Sequence, residues 1–217
     1  MKMNRFPSAA LFDLGGVLID SETIYTEIWS RIERAHPTGI DNFALKIKGS
    51  TLQRILDKYF PEPDIRADVV RMLNDDEQSM PFPIYNGVID FLKSLRNAEV
   101  PTAIVTSSNE MKMSRLYEMH PGFPDLFDTI ITADAITKSK PDPECYLTAA
   151  ARLGVNVADA VVFEDSFNGL MAGRAAGAHL VALSTTNTAE SLAKYADAVI
   201  PSFIGLTARS LQELLLR

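Results

Sequence analysis

The chain has few cysteines and histidines and no long apolar segment. A single cysteine, Cys145, excludes an internal disulfide, and no histidine lies near it, so we interpret it as a small buried side chain. The three histidines, His36, His120 and His179, are not spaced for a zinc site or a catalytic triad. No run approaches the roughly 18–20 apolar residues of a membrane span, and none resembles a signal peptide. These absences predict a cytoplasmic protein without a membrane partner.

Positive charge is also in short supply. The sequence has 21 Lys and Arg against 28 Asp and Glu, a formal net charge of -7, and no basic run. Such a field repels nucleic acid, so we expect no nucleic-acid partner. A chain of 217 residues, 47% apolar, is long enough for one core or for one core with a smaller domain. We expect a monomer, and an anionic substrate would need a local site and a cation.

Short apolar runs recur along the chain, and each leads into a turn or a polar segment. They lie at 9–14, 102–108, 129–133, 160–166, 179–185 and 197–201. Helical patterns lie between the later runs, at 109–119, 143–153, 168–176 and 189–195. This alternation predicts an α/β fold with a parallel sheet covered on both faces. Four of the runs end in polar or acidic residues, at the sheet edge where such folds bind ligands.

Residues 21–80 have helical patterns and no strand signal. The segments "ETIYTEIWSRIERA", "STLQRILDKYF" and "DIRADVVRMLNDDEQSM" each predict a helix, the second capped by Ser50 or Thr51. The Pro- and Gly-rich "PFPIYNG" follows and indicates a boundary. We therefore predict a helical domain, residues 21–80, inserted over the edge of a core formed by residues 1–20 and 81–217.

Four short stretches together resemble one family. They are "FDLGGVLIDSE" around Asp13, "AIVTSSN" around Thr106, "KSKPDPECY" around Lys140, and "VVFEDSFNGLMAGRAAGA" around Glu164 and Asp165. In this order and spacing the chain resembles the haloacid dehalogenase-like (HAD) hydrolases, mostly phosphatases, and most of all the β-phosphoglucomutase-like branch. The resemblance implies a Rossmann-like parallel sheet with an inserted all-helical cap, and a small phosphorylated metabolite as substrate.

Phosphoryl transfer needs a nucleophile and charge neutralisation around the transferred group. The resemblance implies that Asp13 attacks the substrate and forms an aspartyl-phosphate. The Thr106 hydroxyl and the Ser107 backbone would donate hydrogen bonds to the phosphoryl oxygens, and Lys140 would supply a positive charge. Without the family resemblance, each of these residues would be interpreted as an ordinary turn, capping or solvated loop residue. Lys48 of the cap is a candidate for meeting an anionic substrate, with a solvated lysine as an equal alternative.

Adjacent acids at the end of a buried strand repel each other unless a cation or donors compensate. Glu164 and Asp165 follow four apolar residues, and carboxylate oxygens suit Mg²⁺. The alternative is an acid pair that favours a helix N-terminus. The family resemblance adds Asp13 and the backbone carbonyl of Gly15 as metal ligands. We expect Asp165 to coordinate directly and Glu164 either to coordinate or to support.

Gly15 is the departure from the family pattern. The phosphatases that the chain resembles have a second Asp two residues after the nucleophile, which protonates the leaving group and then activates water. Loss of such general acid–base help is typically worth about 10²–10⁴-fold in rate. Turnover would therefore be weakened unless Asp20, Glu22 or a substrate group assists.

Three alternatives remain open. A catalytically impaired protein that binds phosphate ligands fits the missing acid. A haloacid dehalogenase would use the same Asp13 on carbon, but such enzymes need no Mg²⁺ and the acidic pair would be unexplained. A sugar-phosphate mutase is disfavoured, because Tyr25 stands where those enzymes have a histidine and the cap loop is shorter than theirs.

Overall fold

Six parallel strands form the centre of the molecule, in a computed structural model that describes residues 7–78 and 80–215. The strands are β1 (Ala10–Phe12), β2 (Thr102–Val105), β3 (Thr129–Ile131), β4 (Val161–Glu164), β5 (His179–Leu183) and β6 (Ala198–Ile200). Their order across the sheet is β3-β2-β1-β4-β5-β6, and every neighbouring pair is parallel. Each predicted apolar run contains one of these strands. The predicted α/β class is confirmed.

Helices connect the strands and cover the sheet. In the described residues they are α1 (Glu22–Ala35), α2 (Phe43–Lys46), α3 (Leu52–Tyr59), α4 (Pro63–Glu77), α5 (Val88–Asn97), α6 (Glu110–Met119), α7 (Glu144–Leu153), α8 (Phe167–Ala176), α9 (Ala189–Leu192) and α10 (Ala208–Leu215). Single 3₁₀ turns occur at Pro124–Leu126, Ala133–Ala135 and Val157–Asp159. The predicted helices are confirmed, although α9 ends three residues before its predicted end. The helices α2, α5 and α10 were not predicted.

Side chains of the strands alternate between two hydrophobic clusters, as the two-residue period of a strand requires. Phe12 of β1 belongs to the cluster under α5, α6 and α10, whereas its neighbour Leu11 belongs to the cluster under α7 and α8. Phe12 pairs in register with Phe163 of β4, and their rings stack at 4.7 Å between centroids. Both faces of the central strands are therefore buried.

The helices α1 to α4 enclose a third cluster of their own. It includes Trp29, Phe43 and Phe60, whose rings meet edge to face around Phe43. Thr51 caps α3 by accepting a hydrogen bond from the Arg54 N–H at 3.3 Å, so Thr51 rather than Ser50 is the cap. This separate core supports the proposed cap at 21–80. Residue 79, within these bounds, lies outside the described residues.

The chain enters and leaves the helical unit at neighbouring points. The Asp20 N–H donates to the carbonyl of Pro83 at 2.8 Å, and Ile19 forms a β-bridge with Ile84. Two adjacent connections are the arrangement that permits one domain to move relative to another. We propose that these segments are the hinge of the cap.

The cysteine and two of the three histidines, His36 and His120, occupy structural positions. Cys145 is buried in α7, and burial raises the pKa of its thiol to about 11, as expected for an unreactive side chain. His36 bonds to Asp68 within the helical unit, and His120 bonds to the carbonyl of Phe82. Within the described ranges, no helix combines the length and the apolar character needed to cross a bilayer.

The stacked phenylalanines predict where the sheet is most sensitive to truncation. The ring of Phe163 is fully buried, with those of Phe12, Phe91 and Phe203 within 4.7–5.5 Å between centroids. Replacement with Ala leaves a cavity, so Phe163→Ala should lower the free energy of unfolding by about 3–5 kcal/mol in urea titrations. The control is Ile204→Ala, because Ile204 is 67% exposed. Equal stability of the two variants would contradict this packing.

Candidate active site

The carboxyl ends of the three central strands bring the predicted site residues together. Asp13 follows β1, Thr106 follows β2, and Glu164 ends β4. Each loop continues the ladder of the sheet for one more bond: the Asp13 N–H donates to Phe163 at 3.0 Å, and the Thr106 N–H to Ile131 at 2.9 Å. Because the strands are parallel neighbours, side chains distant in sequence converge at one edge.

Lys140 is the centre of the cluster. Its ammonium donates to Asp13 Oδ1 at 2.7 Å, to Glu164 Oε1 at 2.6 Å and to the carbonyl of Val105 at 3.1 Å. Only 1% of the residue is exposed. Burial alone would lower the pKa of Lys140, but the carboxylates of Asp13 and Glu164 outweigh it and raise the pKa well above its ordinary value. The side chain is therefore a permanent buried cation with all three donors used.

Glu164 is held from every side. One oxygen accepts from Lys140 and from the Tyr146 hydroxyl at 2.9 Å. The other accepts from the N–H groups of Asp165 and Ser166, both at 3.1 Å, and from the Ser166 hydroxyl at 3.0 Å. Burial and the nearby Glu164 charge raise the pKa of Tyr146 well above its ordinary value, so its hydroxyl stays a donor. Five hydrogen bonds fix this carboxylate at the start of α8.

The acids of the cluster fit a hard divalent cation. Asp13, Glu164 and Asp165 each place a carboxylate oxygen within 4.8 Å of the others. The ammonium of Lys140 pairs with two of these carboxylates, those of Asp13 and Glu164, and a set of ligand atoms made of oxygens is the type that binds Mg²⁺. Both oxygens of Glu164 accept hydrogen bonds from the protein.

A loop that the sequence interpretation missed supports the cluster from the other side. It consists of residues 185–187 after β5. The Thr185 hydroxyl donates to the carbonyl of Gly16, and the Asn187 amide donates to the carbonyl of Asp165 at 2.9 Å. A polar run after a predicted strand was the available signal.

Gly15 and Gly16 follow Asp13, and only Gly16 lies in a conformation that requires glycine. Gly16 has φ +75°, and a Cβ there would overlap the carboxylate of Asp165. Gly15 has no positive φ. The position that requires glycine is therefore Gly16, and a side chain at Gly15 meets no conformational penalty of this kind.

A cavity of about 1260 Å³ separates the sheet edge from the cap. Its lining includes the remaining predicted residues together with Asp13: Gly15, Lys48, Thr106 and Ser107. Lys140 and Glu164 are buried behind this wall. The Thr106 hydroxyl accepts from the N–H of Ser108 at 3.0 Å, while the Ser107 hydroxyl donates to the carbonyl of Gly49 at 2.9 Å.

Three further residues of the cavity lining, Tyr25 and Glu77 of the cap and Lys112 of α6, form a polar group that was not predicted. The Tyr25 hydroxyl donates to Glu77 at 2.5 Å, and the Lys112 ammonium lies 4.1 Å from the centre of the Tyr25 ring. Tyr25, which the sequence analysis aligned with a mutase histidine, is thus a phenol bound within the cap. Asp20 is exposed, bonds to Tyr85 and does not line the cavity, and the side chain of Glu22 lies outside the description.

Comparison with known proteins agrees with this geometry. A family model described as haloacid dehalogenase-like hydrolase matches residues 7–177. Validoxylamine A 7'-phosphate phosphatase of Streptomyces hygroscopicus subsp. limoneus is 33% identical over 193 residues, covering 85% of this chain and 89% of that protein. Hexitol phosphatase A of Escherichia coli is 32% identical over 178 residues, covering 80% and 82%. The crystal structure of a β-phosphoglucomutase from Clostridium difficile shares the fold, with a TM-score of 0.77, 23% identity and 96% coverage of both chains.

The tight seating of Glu164 yields a prediction about Gly169. A Cβ on Gly169 would overlap the Glu164 carboxylate, so Gly169→Ala must displace the partner of Lys140. Overpacking of this type typically costs about 1–3 kcal/mol, which urea unfolding measures. Gly122→Ala is the matched control, because a Cβ there has nothing within 4 Å. If Gly169→Ala is as stable as the control, Glu164 is not held as described.

Proposed function

The chain belongs to the haloacid dehalogenase-like hydrolase family, and from this membership we propose that it is a Mg²⁺-dependent phosphohydrolase acting on a small phosphorylated metabolite. The observation that carries the proposal is the buried array of Asp13, Lys140 and Glu164 beside an open cavity. Two relatives that are named phosphatases support a phosphoryl substrate over a carbon–halogen bond.

Asp13 is the proposed nucleophile. One of its oxygens attacks phosphorus while the bond from phosphorus to the leaving oxygen breaks, which gives an aspartyl-phosphate and an alkoxide that takes a proton from solvent water to become the alcohol. Water then attacks the same phosphorus, releases phosphate and regenerates the carboxylate. The ammonium of Lys140, 2.7 Å from Asp13, places a positive charge beside this carboxylate and orients it by a hydrogen bond.

The loop after β2 would hold the phosphoryl group. Thr106 accepts a hydrogen bond from Ser108, so its own O–H can donate to a phosphoryl oxygen. The Ser107 hydroxyl is used by Gly49 of the cap, so its contribution would come from the backbone N–H. Lys48 lines the same cavity and is the proposed contact for an anionic substrate from the cap.

Asp13, Asp165 and the carbonyl of Gly15 are the proposed ligands of Mg²⁺, with Glu164 as the support of Lys140. When bound, the ion neutralises charge on the phosphoryl oxygens and so lets two anions approach. The side-chain amide of Asn187 donates to the backbone carbonyl of Asp165 and so restrains the loop that carries this proposed ligand.

The proposal predicts that hydrolysis depends on Asp13. In a screen of phosphorylated metabolites with Mg²⁺, beginning with hexitol phosphates, both EDTA and Asp13→Asn should reduce turnover to background. The control is Asp41→Asn, because Asp41 is exposed and outside the cavity. Turnover that survives Asp13→Asn would refute the mechanism.

A second candidate function follows from Gly15, which offers no acid. The protein would then bind a phosphorylated ligand and hydrolyse it slowly or not at all. Melting temperatures measured with the same compounds separate the two candidates. A binding protein predicts that phosphate or phosphate esters raise the melting temperature in Mg²⁺ while no phosphate is released.

Gly15→Asp should restore the missing general acid and base. The gain should be about 10²–10⁴-fold in kcat, larger for alkyl phosphates than for p-nitrophenyl phosphate, because an alkoxide leaving group needs the proton more. Gly15→Asn is the matched control, with nearly the same shape and no acid. An unchanged rate in a folded Gly15→Asp protein, or an equal gain in Gly15→Asn, would show that this acid does not limit turnover.

A further inference from the structure

One short cap segment is hydrogen-bonded to three parts of the proposed site: the loop that carries Thr106, the start of α8 after Asp165, and the loop that carries Lys140. We call residues 48–54 the docking segment. The carbonyl of Gly49 accepts from Ser107 after β2 at 2.9 Å, and the carbonyl of Lys48 accepts from Asn168 at the start of α8 at 2.8 Å. Arg54 reaches the third loop, which carries Lys140.

The fit of the docking segment depends on a glycine. Gly49 has φ +76°, and a Cβ there would lie 2.7 Å from the hydroxyl of Ser166 and 3.2 Å from Cβ of Asn168. Only a residue without a side chain lets the cap backbone approach the start of α8 this closely. The approach brings the neighbouring residues of the segment within reach of the catalytic loops.

Arg54 supplies the one cap side chain among these hydrogen bonds. Its Nη1 donates to the carbonyl of Lys140 at 3.0 Å, to the carbonyl of Ser139 at 3.3 Å and to the Ser139 hydroxyl at 3.4 Å. In the described part of the chain, no carboxylate forms an ion pair with Arg54, so loop 139–140 is the partner of its guanidinium. The Thr51 cap on the N–H of Arg54 fixes where the side chain starts.

Lys140 is thus held at both ends by different parts of the molecule. Its ammonium is fixed in the core by Asp13 and Glu164, and its carbonyl is fixed by Arg54 of the cap. A guanidinium suits this task, because it stays charged and presents fixed, directional N–H donors to neutral carbonyl oxygens. The contact is lost whenever the cap moves away.

We propose that Arg54 is a positioning residue that aligns Lys140 with Asp13 when the cap is docked. The inference rests on the proposed function for its catalytic consequence, but the link between Arg54 and loop 139–140 is testable without turnover. Because Arg54 is itself exposed, its removal should affect the loop and the rate far more than the stability of the fold.

The kinetic test compares Arg54→Ala with Arg71→Ala. Arg71 is also an exposed cap arginine, but its bonds are confined to Asp68 and Asp75 of α4. Misplacing a catalytic group can cost up to about 100-fold, so kcat should fall about 10- to 100-fold in Arg54→Ala with KM nearly unchanged, while Arg71→Ala keeps the wild-type values. Arg54→Lys should recover part of kcat. A loss confined to KM would mean that Arg54 binds substrate, and an unchanged kcat would overturn the proposal.

Hydrogen–deuterium exchange supplies the readout that needs no activity. Amides of residues 137–142 should exchange faster in Arg54→Ala than in Arg71→Ala or in the wild type, at equal melting temperature. If the wild-type protein hydrolyses no substrate, the proposed function fails while this measurement still decides the role of Arg54. Equal exchange in the two variants would overturn the proposal even in an active enzyme.

Discussion

The buried ammonium of Lys140 between two carboxylates is the interaction on which the site depends. A buried charge without partners is strongly destabilising, so the lysine, Asp13 and Glu164 must fold into place together. This requirement ties the ends of β1 and β4 to the loop before α7. It also explains the residue types at two neighbouring positions. Tyr146 donates a hydrogen bond to Glu164, and Gly169 has no side chain that would overlap the Glu164 carboxylate.

The docking segment joins the cap to this charged centre through hydrogen bonds. Of the bonds between the docking segment and the catalytic loops, those of Gly49 and Lys48 use cap carbonyls, and those of Arg54 end on uncharged oxygens. Such bonds are individually weak in water, so they favour docking without locking the cap. The helices of the cap keep their own hydrophobic cluster and do not depend on the sheet for a core.

Much of the fold was predictable because its signals are local. Runs of apolar residues ending in turns identified all six strands, of which the four inner ones are buried on both faces. The helix α5 was missed although Val88, Phe91, Leu92 and Leu95 repeat at helical spacing and are buried. The convergence of Asp13, Thr106, Lys140 and the acid pair was predicted through the family resemblance. The contacts of Glu164, Arg54 and loop 185–187 were not, because they join residues 18 to 169 positions apart and no local pattern encodes such pairs.

The two glycines after Asp13 differ in whether the backbone there accepts another residue type. Gly16 is closed to change, because its left-handed backbone and the nearby carboxylate of Asp165 admit no side chain. Gly15 lines the cavity on an ordinary backbone. Many glycine codons become aspartate codons through one base change, so the acid typical of the family's phosphatases lies a single mutational step away. The backbone conformation of the turn leaves that step open, so under the proposed function this lineage can acquire the acid without changing the path of its chain.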